Sequence, residues 1–318
     1  MIVCDVDTRA ERWFTTRTSR AEDWPEELLR EHKGNVTVSV VLPALDEEAT
    51  VGDIVKGVIE LGERTGLVDE VVVMDSGSTD NTAAVAAAAG ATVYHRDTVL
   101  PQYGSRPGKG EVLWKSLAVT RGDLVVYVDA DLTSFEDSYV TGLLGPLLTD
   151  PSVQLVKGFY DRPLGEVSAA AGGGRVTELM ARPLLNTFFP ELAGVVQPLA
   201  GEYAGRRELL ETLPFAAGYG VETGLLIDTV SRCGLNAVAQ VDLGNRGHEH
   251  QDTQALGRMA ATILHTVMAR VDPHGKRGCT LTQFRRENEV IVPIDAQMSL
   301  PERPPIASLP EYRAARQG

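Results

Sequence analysis

An apolar run at residues 124–128 ends abruptly at two carboxylates, Asp129 and Asp131. A short apolar run of this kind is typical of a strand buried inside a sheet. Side chains two positions apart on a strand point to the same face, so the two carboxylates are expected to lie side by side. Carboxylate oxygens are the ligands that hard divalent cations prefer. The segment therefore predicts a metal site, and through the metal a site for a nucleotide diphosphate, at the end of a buried strand.

Strand-like and helix-like patterns alternate through the first 130 residues. Apolar, β-branched runs at 36–42 and 70–74 each end at a polar loop, and apolar residues at helical spacing follow. This alternation predicts an α/β fold with a mostly parallel, doubly wound sheet, in which ligands bind beyond the carboxyl ends of the strands. The polar loops at 43–48, 75–80 and 129–131 all follow predicted strands, so we expect them to form one site.

The chain is expected to have three parts. These are an N-terminal extension at 1–35, a main α/β domain at 36–245, and a C-terminal helix with a Pro-rich tail at 246–318. Trp13, Phe14 and Trp24 are candidate packing anchors in the extension. Thr50 and Asp53 resemble a capping box at the start of the first helix of the main domain. A long helix predicted at 253–271 suggests a homodimer contact, although packing within the chain is equally consistent with the pattern.

Composition excludes several classes of function. The net charge of -14 argues against nonspecific nucleic-acid binding, which needs a basic surface. No apolar window approaches the roughly 18 residues of a membrane span, and the charged N-terminus lacks the apolar centre of a signal peptide. A cytoplasmic protein that binds no membrane is therefore expected. Three widely separated cysteines fit neither a disulfide framework nor a zinc pattern.

Two glycine-marked segments carry basic residues that suit an anionic ligand. Lys109 ends the segment GSRPGK, which has one residue too few for a P-loop and lacks Ser or Thr after the lysine. A lysine on such a loop suits a sugar-linked phosphate, and the alternative is a solvated loop lysine. Gly174, Arg175 and Thr177 lie where a glycine-rich stretch meets a helix start, where amides and a guanidinium suit a phosphate or carboxylate. The alternative there is a hinge with a surface arginine.

Two sets of motifs carry a resemblance to a known family over about residues 36–285. The first set resembles the GT-A-fold glycosyltransferases: VLPALDEEAT at 41–50, DSGSTD at 75–80, PGKG at 107–110 and DAD at 129–131. The second set is more specific and resembles the actinobacterial glucosyl-3-phosphoglycerate synthases: GGGRVTEL at 172–179, QPLAGEY at 197–203, GYGVE at 218–222 and LTQF at 281–284.

The resemblance implies a retaining glycosyltransferase that uses Mg²⁺ or Mn²⁺ and a nucleotide sugar. The implied reaction moves glucose from UDP-glucose to the 2-hydroxyl of 3-phosphoglycerate. Mannosyl transfer from GDP-mannose, or use of both donors, is the first alternative. A non-catalytic sugar-nucleotide-binding protein is another. A nucleotidyltransferase also pairs carboxylates with metal at strand ends, but it would release pyrophosphate.

The resemblance also implies a role for each site residue. The implied metal ligands are Asp129, Asp131 and His248. The implied donor-binding residues are Pro43, Ala44, Leu45, Asp46, Glu47, Ser76, Gly77, Lys109, Ala130, Tyr219 and Glu222. The implied acceptor-binding residues are Gly174, Arg175 and Thr177. The implied catalytic groups are the backbone carbonyl of Leu199, which steers the acceptor, Glu222, which holds sugar hydroxyls, and Lys109.

The sequence departs from the family pattern in two places. Asp46 stands where the family usually has Asn, so an amide becomes a group that only accepts hydrogen bonds, and base preference can change. Residues 249–251 replace the basic residues that follow the family histidine, and His250 is either a second contact or none. Retention of configuration is compatible with a front-face route or with a covalent route, for which Glu202 is the candidate nucleophile.

Overall fold

A mixed eight-stranded sheet forms the centre of the structure, a computed structural model that describes residues 8–161, 174–216, 218–245, 253–275, 278–287, 290–298 and 302–317. The strands of the sheet are β1 (Thr18–Arg20), β2 (Val38–Ala44), β3 (Glu70–Asp75), β4 (Thr92–His95), β5 (Leu124–Tyr127), β6 (Leu155–Asp161), β7 (Tyr203–Arg206) and β8 (Val238–Asn245). A separate antiparallel pair consists of β9 (Thr280–Glu287) and β10 (Val290–Gln297).

Helices cover both faces of the sheet. The α-helices in the described residues are α1 (Thr8–Arg17), α2 (Glu26–Lys33), α3 (Val51–Thr65), α4 (Thr82–Ala88), α5 (Lys109–Val119), α6 (Ser138–Thr149), α7 (Arg182–Phe188), α8 (Arg207–Leu210), α9 (Val221–Cys233), α10 (Thr253–Val271) and α11 (Pro310–Gln317). Within the same residues, no helix is long and apolar enough to cross a membrane.

The strand order is β1-β8-β6-β7-β5-β2-β3-β4. Neighbouring strands run parallel except at β7, which is antiparallel to both β5 and β6. The expected α/β fold with a mostly parallel sheet is therefore confirmed. In such a sheet the carboxyl ends of β2, β3 and β5 lie at one edge, where the three polar loops emerge.

Strand β5 is buried on both faces, as its apolar run predicts. Val125 and Tyr127 belong to the core that includes residues of α5 and α9. Leu124, Val126 and Val128 belong to the core on the opposite face, with residues of α3 and α6. Continuous burial explains why this strand shows no polar alternation.

The two carboxylates that follow β5 lie in a turn and not on the strand. The strand ends at Tyr127, and only the backbone N–H of Val128 extends the pairing, by donating to the carbonyl of Val41 at 3.1 Å. Strand alternation therefore does not place Asp129 and Asp131 on one face, and that prediction is wrong. Both side chains follow the buried strand directly, but the conformation of the turn sets their directions.

The predicted capping box at the start of α3 is wrong. The Thr50 side chain makes no capping bond with the helix, and its Oγ1 donates instead to the backbone carbonyl of Ala130 at 2.6 Å. Ala130 lies between the two carboxylates, so this hydrogen bond ties the first β-to-α loop to the carboxylate turn. Thr50 therefore holds the carboxylate turn in place and does not cap the helix.

The segments at both ends of the chain pack on the main domain. Trp13 is 1% exposed and donates its indole N–H to the carbonyl of Val238 at 2.8 Å, and β1 adds a parallel strand beside β8. The prediction is wrong for Phe14, which is 45% exposed and is not a buried anchor. Helix α10 buries Ile263 and Val267 in the core that includes α9. The tail beyond α10 was predicted without further elements, but it contains the β9–β10 pair and α11.

Candidate active site

The first two polar loops bind each other through short hydrogen bonds. The N–H of Ser76 donates to the carbonyl of Ala44 at 2.8 Å, and the N–H of Asp46 donates to Ser78 Oγ at 3.0 Å. Asp46 Oδ1 in turn accepts from the N–H of Thr79 at 2.7 Å. Asp46 has φ +57°, a left-handed conformation that Asp and Asn tolerate better than most residues. An amide oxygen could accept the same bond, so this contact is compatible with either residue.

The remaining predicted donor-binding residues of these loops have different environments. Pro43 lies within β2, and Leu45, just beyond the strand, is 53% exposed. The N–H of Glu47 donates to Thr82 Oγ1 at 2.7 Å. Ser76 is buried, whereas Gly77 adopts φ +97°, which glycine adopts without strain. The loops thus present backbone and one exposed apolar side chain at the edge of the sheet.

An ion cluster joins three of the predicted site residues. Lys109, the first residue of α5, forms a direct ion pair with the Asp129 carboxylate, and its Nζ lies 3.1 Å from Glu222 Oε1. Glu222 lies in the first turn of α9 and is 6% exposed. Burial alone would lower the pKa of Lys109, but the surrounding carboxylates outweigh it and raise that pKa above its usual value. The lysine is therefore a fixed positive charge at neutral pH.

The turn at 197–201 lies directly against this cluster. A Cβ added to Gly201 would be 2.0 Å from Asp129 Oδ2 and 2.5 Å from Lys109 Nζ. Only glycine allows so close an approach of the backbone to the two charged groups. Leu199, whose carbonyl is the predicted steering group, belongs to this turn and is partly buried. Lys109 and Gly201, about 90 residues apart in the chain, therefore lie close together.

Lys157 supports the same turn, and sequence reasoning did not identify it. It is 1% exposed, its ammonium donates to the carbonyl of Ala200, and it lies 4.8 Å from the centre of the Tyr203 ring. Burial lowers the pKa of Lys157 to about 8. The negative charge of the fully buried Glu202 opposes this effect of burial, because it raises the pKa of both Lys157 and Lys109. A cation within an otherwise apolar strand was the available signal, because Lys is almost never fully buried without a specific partner.

The structure describes two of the three predicted metal ligands. Asp129 and Asp131 offer oxygen ligands at a partly exposed turn, which fits Mg²⁺ or Mn²⁺. His248, the third predicted ligand, lies outside the described residues, as does His250 with the rest of 249–251. In the part of the chain that is described, no cluster of three or more His, Cys, Asp or Glu side chains is placed to hold a metal. The chemistry of the two carboxylates thus fits a hard divalent cation.

The predicted acceptor residues begin a helical segment beside α10. Gly174 accepts a hydrogen bond from the N–H of Glu178 at 3.1 Å, Arg175 is exposed, and Thr177 is 5% exposed at the start of the π-helical turn Thr177–Ala181. That turn contacts α10, which packs on α9, the helix that carries Glu222. Tyr219, just before α9, is 48% exposed. The acceptor segment is therefore joined to the ion cluster through helices.

Known proteins resemble this chain in both sequence and structure. Residues 39–208 match the family model of Glycosyl transferase family 2. The glucosyl-3-phosphoglycerate synthase of Mycolicibacterium smegmatis is 50% identical over 300 residues, which cover 94% of this chain and 98% of the relative. The same enzyme from Mycobacterium tuberculosis, solved with Mn²⁺, UDP and phosphoglyceric acid, is 48% identical with a TM-score of 0.82, over 90% of this chain and 95% of that one. Mannosyl-3-phosphoglycerate synthase from Rubrobacter xylanophilus is 41% identical with a TM-score of 0.89, over 94% of this chain and 99% of that one.

Proposed function

Since the chain belongs to glycosyl transferase family 2, and within it to the glucosyl-3-phosphoglycerate synthases, we propose that it moves glucose from UDP-glucose to the 2-hydroxyl of 3-phosphoglycerate. The chain has the GT-A fold and is a glycosyltransferase. The observation that carries the choice of substrates is the 50% identity to the Mycolicibacterium smegmatis enzyme across nearly the whole length of both chains. The cluster of Lys109, Asp129 and Glu222 supports it, because it gathers cation and carboxylates at the edge of the sheet where the donor loops meet.

The donor diphosphate is proposed to bind at the carboxylate turn. Asp129, Asp131 and His248 hold the divalent cation, and Ala130 places the turn against the donor. Bound Mg²⁺ or Mn²⁺ neutralises the charge that develops on the departing diphosphate. Lys109 adds a second positive charge from the start of α5. These groups favour the transition state because they are already in place before the bond breaks.

The nucleoside is proposed to bind across the first two polar loops. Pro43, Ala44, Leu45, Asp46 and Glu47 provide the edge of the base and ribose site. Ser76 and Gly77 approach from the second loop, and Tyr219 contacts the phosphates. Because Asp46 Oδ1 already accepts from Thr79, its side chain fixes the two loops together and leaves mainly backbone groups for the base.

The acceptor is proposed to bind between the glycine-rich segment and the turn at 197–201. Gly174, Arg175 and Thr177 hold its phosphate or carboxylate, and the Leu199 carbonyl orients its 2-hydroxyl. Glu222 holds the hydroxyls of the sugar. The Glu202 side chain is fully buried, so we favour the front-face route. In that route the hydroxyl oxygen forms the new bond to C1 while the C1–O bond to the diphosphate breaks, and the diphosphate takes the proton.

Mannosyl transfer from GDP-mannose is the second candidate function. It is favoured by the similarity to the Rubrobacter xylanophilus mannosyl enzyme, whose TM-score of 0.89 exceeds that of the glucosyl enzyme from Mycobacterium tuberculosis. Glucose and mannose differ only at C2, and the two nucleotides differ only in the base. Hydrogen bonds to the C2 hydroxyl and to the base can discriminate between the two donors. The similarity of the overall folds does not discriminate between them.

A donor panel decides between the candidates. The four donors UDP-glucose, UDP-mannose, GDP-glucose and GDP-mannose are each assayed with 3-phosphoglycerate and Mg²⁺ or Mn²⁺. We expect UDP-glucose to give at least about tenfold higher kcat/KM than any other donor, since contacts to the base and to the C2 hydroxyl both discriminate. Faster turnover of GDP-mannose would favour the mannosyl enzyme. Release of pyrophosphate would indicate a nucleotidyltransferase, and nucleotide binding without product would indicate a non-catalytic protein.

The C-terminal part of the chain is proposed to form a homodimer contact. Phe284 and Ile291, which the strand register places on one face of the β9–β10 pair, are 63% and 53% exposed, and large exposed apolar side chains on a shared face are typical of interfaces. Light scattering in solution is expected to give twice the chain mass of 34.3 kDa, and a double change of Phe284 and Ile291 to Ser is expected to halve it. A wild-type mass of one chain would contradict the dimer. The cytoplasmic location stays a prediction.

A further inference from the structure

Three charged side chains are buried on or against α5, the helix that begins with Lys109. Glu111 and Lys115, both on α5, are 0% exposed. Arg303, from the C-terminal segment at 302–317, is 3% exposed. Buried charges are costly unless they are paired and hydrogen-bonded, so such a group is expected to fix its surroundings in one arrangement. The cluster lies outside the residues that hold donor or acceptor in the proposed reaction.

Arg303 joins the C-terminal segment to the first turn of α5. Its Nε and Nη2 each donate to a different oxygen of the Glu111 carboxylate at 2.7 Å. The same guanidinium donates to the carbonyls of Tyr103 and Gly104 at 2.9 and 3.1 Å. One side chain therefore binds both the helix and the loop that precedes it. The paired geometry to Glu111 is specific to arginine, because a lysine has no planar fork.

Arg303 is itself held in place from several directions. Its backbone exchanges two hydrogen bonds with Phe215, at 3.0 and 2.7 Å. Its guanidinium lies 5.0 Å from the ring of Trp114, whose indole N–H donates to the carbonyl of Pro304 at 2.8 Å. The arginine is thus a fixed point against which the start of α5 is set.

Lys115 also binds the loop that precedes α5. Its ammonium donates to the carbonyls of Arg96 and Gly104 at 2.7 and 3.0 Å and to Ser105 Oγ at 2.9 Å. The loop runs through glycines at 104 and 108, both with positive φ, directly into Lys109. A glycine-rich loop has many accessible conformations, so these buried contacts, and not local propensity, fix its path.

We propose that Arg303 is a positioning residue for Lys109, and that the C-terminal segment thereby completes the donor site from outside the catalytic fold. The inference rests on the proposed function for the role of Lys109, which binds the donor diphosphate. Glu111 lies one turn or less from Lys109 on α5, so loss of its partner frees both the first turn and the loop. The Lys109 ammonium then no longer keeps its place between Asp129 and Glu222.

The test compares Arg303→Met and Arg303→Lys with Glu302→Gln. Glu302 is the neighbouring residue and forms an ion pair with Arg270 on α10 at 2.8 Å, so its change removes an ion pair of the same segment without touching α5. Arg303→Met is expected to raise the donor KM or lower kcat by about tenfold to a hundredfold, since a small displacement of a catalytic group has effects of this size. The acceptor KM and the constants of Glu302→Gln are expected to stay within about twofold of wild type. Arg303→Lys, which keeps the charge, is expected to recover part of the loss.

Amide hydrogen exchange provides a second measurement that does not depend on turnover. Peptides that cover residues 100–112 are expected to exchange faster in Arg303→Met, less so in Arg303→Lys, and at the wild-type rate in Glu302→Gln. Equal exchange and equal constants in all four proteins, even with a lower Tm, would overturn the inference and leave only a structural role. If wild type transfers no hexose, the proposed function fails, and exchange at 100–112 still decides whether Arg303 holds the start of α5. If Arg303→Met does not fold, the comparison of Arg303→Lys with Glu302→Gln decides.

Discussion

Replacement of Asp131 by Ala is expected to abolish metal-dependent turnover of the nucleotide sugar while the protein stays folded. Asp131 is exposed beside the buried end of β5, so its loss removes a carboxylate oxygen from the proposed metal site without opening a cavity. A bound metal contributes several kcal/mol of charge stabilisation, so we expect kcat/KM to fall by about a thousandfold or more. Nucleoside diphosphate release, followed at several Mn²⁺ and Mg²⁺ concentrations, measures the loss.

Two controls belong with this prediction. Wild type stripped by a chelator is expected to lose turnover and to regain it with Mn²⁺ or Mg²⁺, whereas Asp131→Ala is expected to regain none. Glu136→Ala removes an exposed carboxylate five residues away and is expected to keep wild-type turnover. Turnover of Asp131→Ala at the wild-type rate, or wild-type turnover that survives chelation, would end the metal model.

Replacement of Lys109 by Met is expected to have the second largest effect. Lys109 is paired with Asp129 and Glu222, so its loss removes a positive charge from the proposed diphosphate site and leaves two carboxylates close together. Removal of one fixed group that stabilises transition-state charge lowers kcat by about a hundredfold to a thousandfold in other enzymes, and we expect a loss of that size. Steady-state kinetics with varied donor and with varied acceptor separate this effect from a change in acceptor binding.

Lys109→Arg and Lys56→Met are the matched controls. Arginine keeps the charge and is expected to retain part of the activity. Lys56 is a solvent-exposed lysine on α3, and its change to Met is expected to leave the kinetic constants unchanged. If Lys109→Met keeps the wild-type donor KM and kcat, then Lys109 fixes the fold of the cluster and has no part in transfer.

The order of strands and helices was predictable because each buried strand needs an apolar run. Residues 36–42, 70–74 and 124–128 gave β2, β3 and β5 within one or two residues, and parallel strands that end at one edge bring their loops together. Ser76 and Ala44 confirm this, since their hydrogen bond joins the first two loops. The meeting of the three loops therefore follows from local pattern and topology.

The details of the site depend on tertiary contacts that no local pattern shows. Thr50 has the right position for a helix cap, but its hydroxyl donates to Ala130, which lies 80 residues later in the chain. Lys157 continues an apolar strand, and only the packed structure shows that its ammonium supports the Ala200 carbonyl. Long-range partners of this kind outweigh the local preference of a side chain.

The C-terminal elements were not predicted because their pattern is weak. Pro293 within residues 290–297 argues against a strand, since proline cannot donate to a neighbouring strand. In the structure it pairs with Phe284 in a two-stranded ribbon. Among the described residues β10 has no second partner strand, and an edge strand of this kind tolerates proline. Arg303 follows in a stretch with no helical or strand period, so its partners on α5 were beyond sequence reasoning.

The most direct test of glucose transfer follows the anomeric carbon itself. Wild type is incubated with UDP-glucose labelled with ¹³C at C1, 3-phosphoglycerate and Mn²⁺, and the product is examined by NMR after the metal has been removed. We expect one new α-glucosyl signal, correlated with C2 of the glycerate, with release of one UDP for each glucoside formed. A β-glucosyl signal would contradict retention. Free glucose as the only labelled product would contradict transfer to this acceptor. So would label that stays in UDP-glucose with wild type as it does with Asp131→Ala.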